Sequence, residues 1–178
     1  IVNDTCSVWL SRYKDSIKGD IKYIYFAAEG RLKGESDSDK YEKARKLHQM
    51  SGTIREHYLA DAAAPAGTRK ELGTVLWLID NHGLRPGDER GADQADTVGA
   101  STLRADHVKL KRKRGAGYVV FDFLGKDSIR FHKELKAPDL IYSNFEQLLQ
   151  GKDPTAQVFS RISASSINDY LKQFDRSF

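Results

Sequence analysis

The chain has 178 residues and a mass of 20.1 kDa, enough for one domain with a sizeable core. Its 29 Lys and Arg against 25 Asp and Glu leave a formal charge of +4 and a pI near 9.1, a modest excess that suits a polyanionic partner. No apolar run reaches the ~18 residues of a membrane span, and the single cysteine, Cys6, excludes an internal disulfide framework or a Cys-based zinc cluster.

The hydrophobic period changes several times along the chain. Residues 5–18 are expected to form a short helix, with Val8, Trp9, Tyr13 and Ile17 at helical spacing and Asp4 or Thr5 as its cap. Residues 21–26, rich in β-branched and aromatic side chains, predict a strand. From about 37 to 60, Tyr41, Ala44, Leu47, Met50, Ile54 and Tyr58 form one stripe of a long helix. Lys40, Lys43, Arg45, Lys46 and Arg55 cover the rest, as a solvated face would. After the break at 62–67, a second helix opens at Thr68, which stands at capping-box spacing from Glu71. It carries Leu72, Val75, Leu76 and Ile79 and ends at Gly83, a natural left-handed cap. Residues 84–96 are polar and predict a loop.

The period then drops to two. Residues 104–110 predict a strand, and 118–124 a second, with Val119, Phe121 and Phe123 on one side and Val120 and Asp122 on the other. A turn at 125–127 presents Lys126, and 128–132 returns as the partner strand. The C-terminal 45 or so residues predict helix, from Phe145, Leu148 and Leu149 through Val158, Phe159 and Ile162 to Ile167, Tyr170, Leu171 and Phe174. The expected fold class is α+β, mainly α, with a three-stranded antiparallel sheet, in one domain over 1–178.

Three features could carry chemistry. Lys109-Leu110-Lys111-Arg112-Lys113-Arg114 has five cations in six residues and reads either as a solvated hairpin loop or as a phosphate contact. Arg85 directly follows the helix cap and is flanked by Pro86 and Gly87. Its planar fork suits two phosphate oxygens, although a surface turn with local ion pairs is the plainer reading. Gly125-Lys126 is not a phosphate loop, because Val120 stands where the first glycine is required. A lysine on a stiff turn can instead enter a groove and donate a proton. His48, His57, His82, His107 and His132 lack metal-ligand spacing, no Gly-x-Ser-x-Gly elbow occurs, and Cys6 has no local His. No leader is visible, so a reducing intracellular compartment is expected. The initial Ile1 reads as a fragment or a processed product.

Taken in order, the motifs resemble the catalytic core of eukaryotic type IB DNA topoisomerases. They are Ile21-Lys22-Tyr23-Ile24, Arg31-Leu32-Lys33-Gly34-Glu35, the run from Lys40 to Leu47, Leu78-Ile79-Asp80, Leu84-Arg85 with Gly87, Ala95-Asp96-Thr97-Val98-Gly99 and Leu103-Arg104. The most specific is Phe121-Asp122-Phe123-Leu124-Gly125-Lys126-Asp127-Ser128-Ile129-Arg130. The resemblance implies part of the topoisomerase IB/tyrosine-recombinase catalytic fold and a parent enzyme that relaxes supercoiled DNA in the nucleus, in support of replication and transcription. One strand is broken through a 3′-phosphotyrosine link. That link conserves the bond energy, so neither metal nor ATP is implied and no cofactor is expected.

By position, Arg85 resembles the family's first active-site Arg, which grips non-bridging oxygens of the scissile phosphate. Lys126 resembles the catalytic Lys, which protonates the 5′-oxygen leaving group. Arg31, Lys33, Asp88, Arg90, Thr97 and Asp127, together with Lys111, Arg112, Lys113 and Arg114, are the expected contacts to double-stranded DNA. Asp127 also matches a position that meets camptothecin-type poisons.

Three departures stand out. Gly87-Asp88-Glu89-Arg90 places an acid in the loop after the first Arg. Ala100-Ser101-Thr102 replaces a Cys-Cys-Ser stretch and reads as packing drift. The second Arg, the His and the nucleophilic Tyr of the family match nothing here. Ser166-Ile167-Asn168-Asp169-Tyr170 resembles the nucleophile's surroundings only superficially, so those three groups are expected on further parts of the enzyme, and the chain alone is expected to be inactive. Two other readings stand beside this one: a site-specific tyrosine recombinase and a non-catalytic DNA-binding module.

Overall fold

The computed structural model describes residues 9–17, 19–26, 31–87 and 98–178, which fall into two units divided between Gln49 and Met50. In the first unit, β1 (Trp9–Lys14) and β2 (Ile21–Tyr25) form an antiparallel hairpin with an irregularity between Trp9 and Ser11. The helix expected at 5–18 is therefore corrected to a strand over most of its described length. A short isolated helix is marginal, whereas Trp9 and Arg12 gain cross-strand partners: Trp9 lies 5.7 Å from the Tyr23 ring, and the Arg12 guanidinium sits 5.8 Å over Trp9. Asp4 and Thr5 lie outside the described residues.

Helix α1 (Arg31–Ala62) contains the long helix expected from 37 to 60 and crosses the division between the units. Its stripe is buried only toward the C-terminal end, at Ile54, Tyr58 and Ala62, while Tyr41 is exposed.

In the second unit, α2 (Thr68–His82) packs on this buried end of α1. Gly73 permits the approach, since a Cβ there would run into the backbone of Tyr58 and Ala62. The Arg55 guanidinium donates Nε and Nη2 to Asp80 at 2.7 and 2.9 Å, and the Tyr58 hydroxyl donates to Asp80 at 2.8 Å. Burial and the Asp80 carboxylate push the Tyr58 hydroxyl up to about 12, while the Arg55 hydrogen bonds hold Asp80 below its ordinary value.

The expected capping box is corrected: Gly67 is the N-cap, and Thr68 is already helical. Glu71 is buried and turned elsewhere, accepting from the Arg161 backbone N–H at 2.9 Å and from its guanidinium at 2.7 Å. The C-terminal cap is as expected. Gly83 has φ 65° and donates its N–H to the Ile79 carbonyl at 3.0 Å.

Strands β3 (Val108–Lys113), β4 (Ala116–Leu124) and β5 (Arg130–Lys136) form an antiparallel sheet in that order. The fold class is α+β and mainly helical. The first strand sits later than expected: a 3-10 turn takes Ala105–His107, and β3 continues through the cationic run. Arg114 and Gly115, at φ 50° and 82°, close the tight hairpin between Lys113 and Ala116.

Val119, Phe121 and Phe123 are buried on one face of β4, as their alternation requires. Phe121 meets Phe145 of α3 (Asp139–Leu149) with ring centroids 5.9 Å apart, and Phe145 meets Phe159 at the same separation. Helix α4 (Ala164–Lys172) opens at Ser163, whose hydroxyl accepts from the Ser166 N–H.

The helix expected around Val158–Ile162 is corrected to irregular chain that buries Val158, Phe159 and Ile162. Extended pairing with 103–106 displaces it. The Val158 N–H donates to Leu103, and Lys152 Nζ donates to the carbonyls of Gln157 and Val158 at 2.5 and 2.8 Å. Among the described residues, no helix is long and apolar enough to cross a membrane, and no group of three or more His, Cys, Asp or Glu could hold a metal.

Candidate active site

Arg85 stands where α2 has been stopped by Gly83 and its chain turned by Leu84, which is buried and anchors the turn. The loop 85–87 is gripped by residues 99–102. The Ala100 N–H donates to the Arg85 carbonyl and the Ser101 N–H to the Pro86 carbonyl, both at 2.7 Å. The Ser101 hydroxyl reaches the carbonyl oxygens of Pro86 and Gly87 at 2.8 and 2.7 Å. Gly87, at φ 90°, passes so close to Gly99 that a Cβ would stand 2.6 Å from the Gly99 Cα. Ser101, expected to be packing drift, is therefore a clamp. The signal that could have found it is a hydroxyl residue in an apolar-flanked stretch, but its partners lie too far upstream to be read from spacing.

Lys126 sits on the 3-10 turn Lys126–Ser128 that joins β4 to β5. The turn is closed by the Gly125 N–H, which donates to Ile129 at 2.8 Å, and Ser128 takes a left-handed φ of 57°. The two loops are connected: the Val98 N–H donates to the Leu124 carbonyl at 2.8 Å, and two residues later Ala100 holds Arg85. Residues 98–101 thus run from the Lys126 hairpin to the Arg85 loop.

Both side chains line one open cleft of about 680 Å³, with Phe123 and Phe131 on its apolar side and Ala164 and Asn168 of α4 on its rim. Phe123 and Phe131 stack at 5.0 Å. Arg85 and Lys126 are exposed, and neither side chain has an ion pair or hydrogen bond among the described residues. A third cation on the wall, Arg130, is committed: it makes two hydrogen bonds to Asp122, at 2.8 and 2.7 Å, and with His132 it holds that carboxyl down to about 2. Among the described residues, the cleft therefore presents two cations without a counter-charge, a fork and an ammonium, each a donor to anion oxygens.

The cationic run lies elsewhere. Nine residues of β4, roughly 30 Å of strand, separate its turn from Lys126. Lys111 and Lys113 both pair with Glu134, Lys111 at 3.6 Å. Arg112 is 3.6 Å from Glu146 and 4.5 Å above the Tyr142 ring. Arg114 forms the turn. Asp88, Arg90 and Thr97 lie outside the described residues, and Asp127 follows Lys126 in the 3-10 turn. Arg31 and Lys33 belong to the first turn of α1, in the other unit. Tyr170 is buried and donates its hydroxyl to Asp61 at 3.0 Å, which with burial pushes its pKa up and makes it a poor nucleophile.

Residues 29–178 match the family described as eukaryotic DNA topoisomerase I, catalytic core. The chain is 40% identical over 172 residues to DNA topoisomerase 1 of Schizosaccharomyces pombe, covering 96% of this chain and 21% of that protein. It is 36% identical over 180 residues to DNA topoisomerase 1 of Caenorhabditis elegans, covering 96% and 22%. With the mitochondrial DNA topoisomerase I of Rattus norvegicus it shares 36% over 173 residues, covering 96% and 29%. The chain thus spans less than a third of the curated relatives it matches. Similarity over nearly its whole length, with Arg85 and Lys126 opening on one cleft, leads to a plain conclusion: this chain belongs to the eukaryotic DNA topoisomerase I catalytic-core family.

Proposed function

We propose that the chain is the part of a type IB DNA topoisomerase that contributes Arg85 and Lys126 to strand breakage, while the second Arg, the His and the nucleophilic Tyr come from other parts of the enzyme. The observation that carries this reading is the shared cleft, lined from separate elements by two cations that have no counter-charge among the described residues.

The chemistry follows from where charge develops. When a tyrosine oxygen attacks a backbone phosphorus, negative charge grows on the two non-bridging oxygens and on the departing 5′-oxygen. The Arg85 guanidinium presents paired N–H donors to the first. Lys126, on a turn that can enter a groove, gives its proton to the second. The bond broken at the 5′-oxygen is replaced by a 3′-phosphotyrosine bond while the phenol's proton leaves to water. The reverse attack by the 5′-hydroxyl reseals the strand and returns its proton to Lys126, and the departing tyrosine oxygen takes one back from water. Between the two steps the duplex rotates and supercoiling is lost. Double-stranded DNA is the substrate, the nucleus is the working compartment, and Arg31, Lys33, Asp88, Arg90, Thr97 and Asp127 supply the remaining DNA contacts, while the 111–114 run, committed largely to Glu134 and Glu146, adds little.

Relaxation of supercoiled DNA by the full-length protein tests this reading. Arg85→Ala and Lys126→Ala are each expected to slow single-turnover cleavage by about 10²-fold or more while duplex binding persists. Wild-type cleavage in either variant would overturn the assignment of that residue. Cleavage confined to particular sequences, with strand exchange, would replace it by recombinase chemistry.

A further inference from the structure

We infer that Ser101 is a positioning residue of this site, acting through the Arg85 loop; the inference rests on the assignment of Arg85 to the scissile phosphate. Ser101 is 1% exposed, and its hydroxyl lies between two backbone carbonyls of the residues that immediately follow Arg85, Pro86 at 2.8 Å and Gly87 at 2.7 Å. Its single proton serves both oxygens. The Pro86 oxygen is also held by the Ser101 N–H, so among the described residues the carbonyl that depends on the hydroxyl is that of Gly87.

Gly87 has a left-handed φ of 90° and lies against Gly99, so the direction of this peptide decides how the chain leaves Arg85. Without the hydroxyl, the carbonyl of half-buried Gly87 loses the donor that fixes its direction, and the loop can relax by rotating peptides next to Arg85. The same short segment is bonded to the Lys126 hairpin through Val98 and Leu124. Ser101 therefore sets the register between the two cations: it fixes the loop bearing the first on a strut attached to the turn bearing the second. A displacement of about 1 Å is sufficient to cost up to 10²-fold in a step that relies on preorganised donors.

The test is a double-mutant cycle in the full-length protein, reading single-turnover cleavage at saturating duplex DNA, DNA affinity and thermal stability. Ser101→Ala is expected to lower the saturated cleavage rate by about 10- to 100-fold with affinity unchanged. It should add no further loss to Arg85→Ala. Ser101→Cys, which keeps a donor of nearly the same shape, should recover most of the rate. Equal losses in the wild-type and Arg85→Ala backgrounds would overturn the inference, because Ser101 would then act on the fold at large. A full-rate Ser101→Ala alongside a slow Arg85→Ala would sink the inference alone. A full-rate Arg85→Ala would sink the site itself. If Ser101→Ala does not fold, the cycle is run with Ser101→Cys, whose weaker donor should give a smaller loss that again vanishes on Arg85→Ala; an undiminished loss there would overturn the inference.

Discussion

The two ends of β4 are both cationic, yet they are built on opposite plans. At one end the cations of 109–114 are dense, but Lys111 and Lys113 share Glu134, and Arg112 is held between Glu146 and the Tyr142 ring. At the other end Lys126 is a single ammonium on a tight turn and shares its cleft with Arg85; neither has a partner among the described residues. Charge density and available charge are different quantities. A cation already facing a carboxylate has lost much of its attraction for an incoming phosphate. A cation held by backbone geometry, with nothing opposite, gains the whole interaction when the anion arrives.

The largest effect that separates the two ends is therefore kinetic. Lys126→Ala should remove cleavage by the factor given above, whereas the double change Lys111→Ala/Lys113→Ala should leave the saturated cleavage rate intact. If the paired end did the chemistry, that order would reverse. A second, smaller contrast is in stability. A Cβ at Gly117 would meet the Tyr142 ring 2.5 Å away, beneath the Arg112 guanidinium. Gly117→Ala should cost about 1–3 kcal/mol in chemical denaturation, with cleavage unaffected below the melting transition. Smaller again is the salt response of DNA binding. Each phosphate contact contributes about 0.9 to the log–log slope, so Lys111→Ala/Lys113→Ala should change it by clearly less than the ~1.8 that two dedicated contacts require. A full change would restore this end as a phosphate site.

The sheet was legible because β4 alternates cleanly and its turn residues leave little choice. The extent of β3 was not, because a lysine run resembles a loop. On one face of β3, Lys109, Lys111 and Lys113 are acceptable strand residues, the last two because Glu134 pairs with them. Trp9 and Tyr13 fit a helical spacing as well as a strand, and only the partner strand decides. Glu71 shows the same limit: its distance from Thr68 indicated a cap, while its true partner, Arg161, is far along the chain. Of the site, Arg85 and Lys126 were readable because each follows a local stop signal, a helix cap and a hairpin turn. Ser101 was hidden because its role consists of two carbonyl oxygens, which have no identity in a sequence.

The mildest probe of the cleft end is pH. His82 closes α2, three residues before Arg85, with its Nε2 buried and without a hydrogen-bond partner among the described residues. Its ring lies edge-on to Trp77 at 4.7 Å. A helix C-terminus would favour the charged imidazole, but burial opposes it, reinforced by the Lys133 ammonium, and the pKa is lowered from its ordinary 6.5. The sign then follows from linkage. Below pH ~6.5 the unfolded chain takes up the proton while the folded chain does not, so stability is full above that point and declines as the pH falls toward the depressed folded value. The loss should stay below about 1 kcal/mol, because the ring is only partly buried and water screens it. His82→Gln, which cannot titrate, should flatten the denaturation midpoint between pH 7 and pH 5.5 relative to wild type. A steeper wild-type decline that survives in the variant would assign the pH response to other groups. An increase in wild-type stability on acidification would show that the helix terminus, and not burial, governs the ring beside the Arg85 loop.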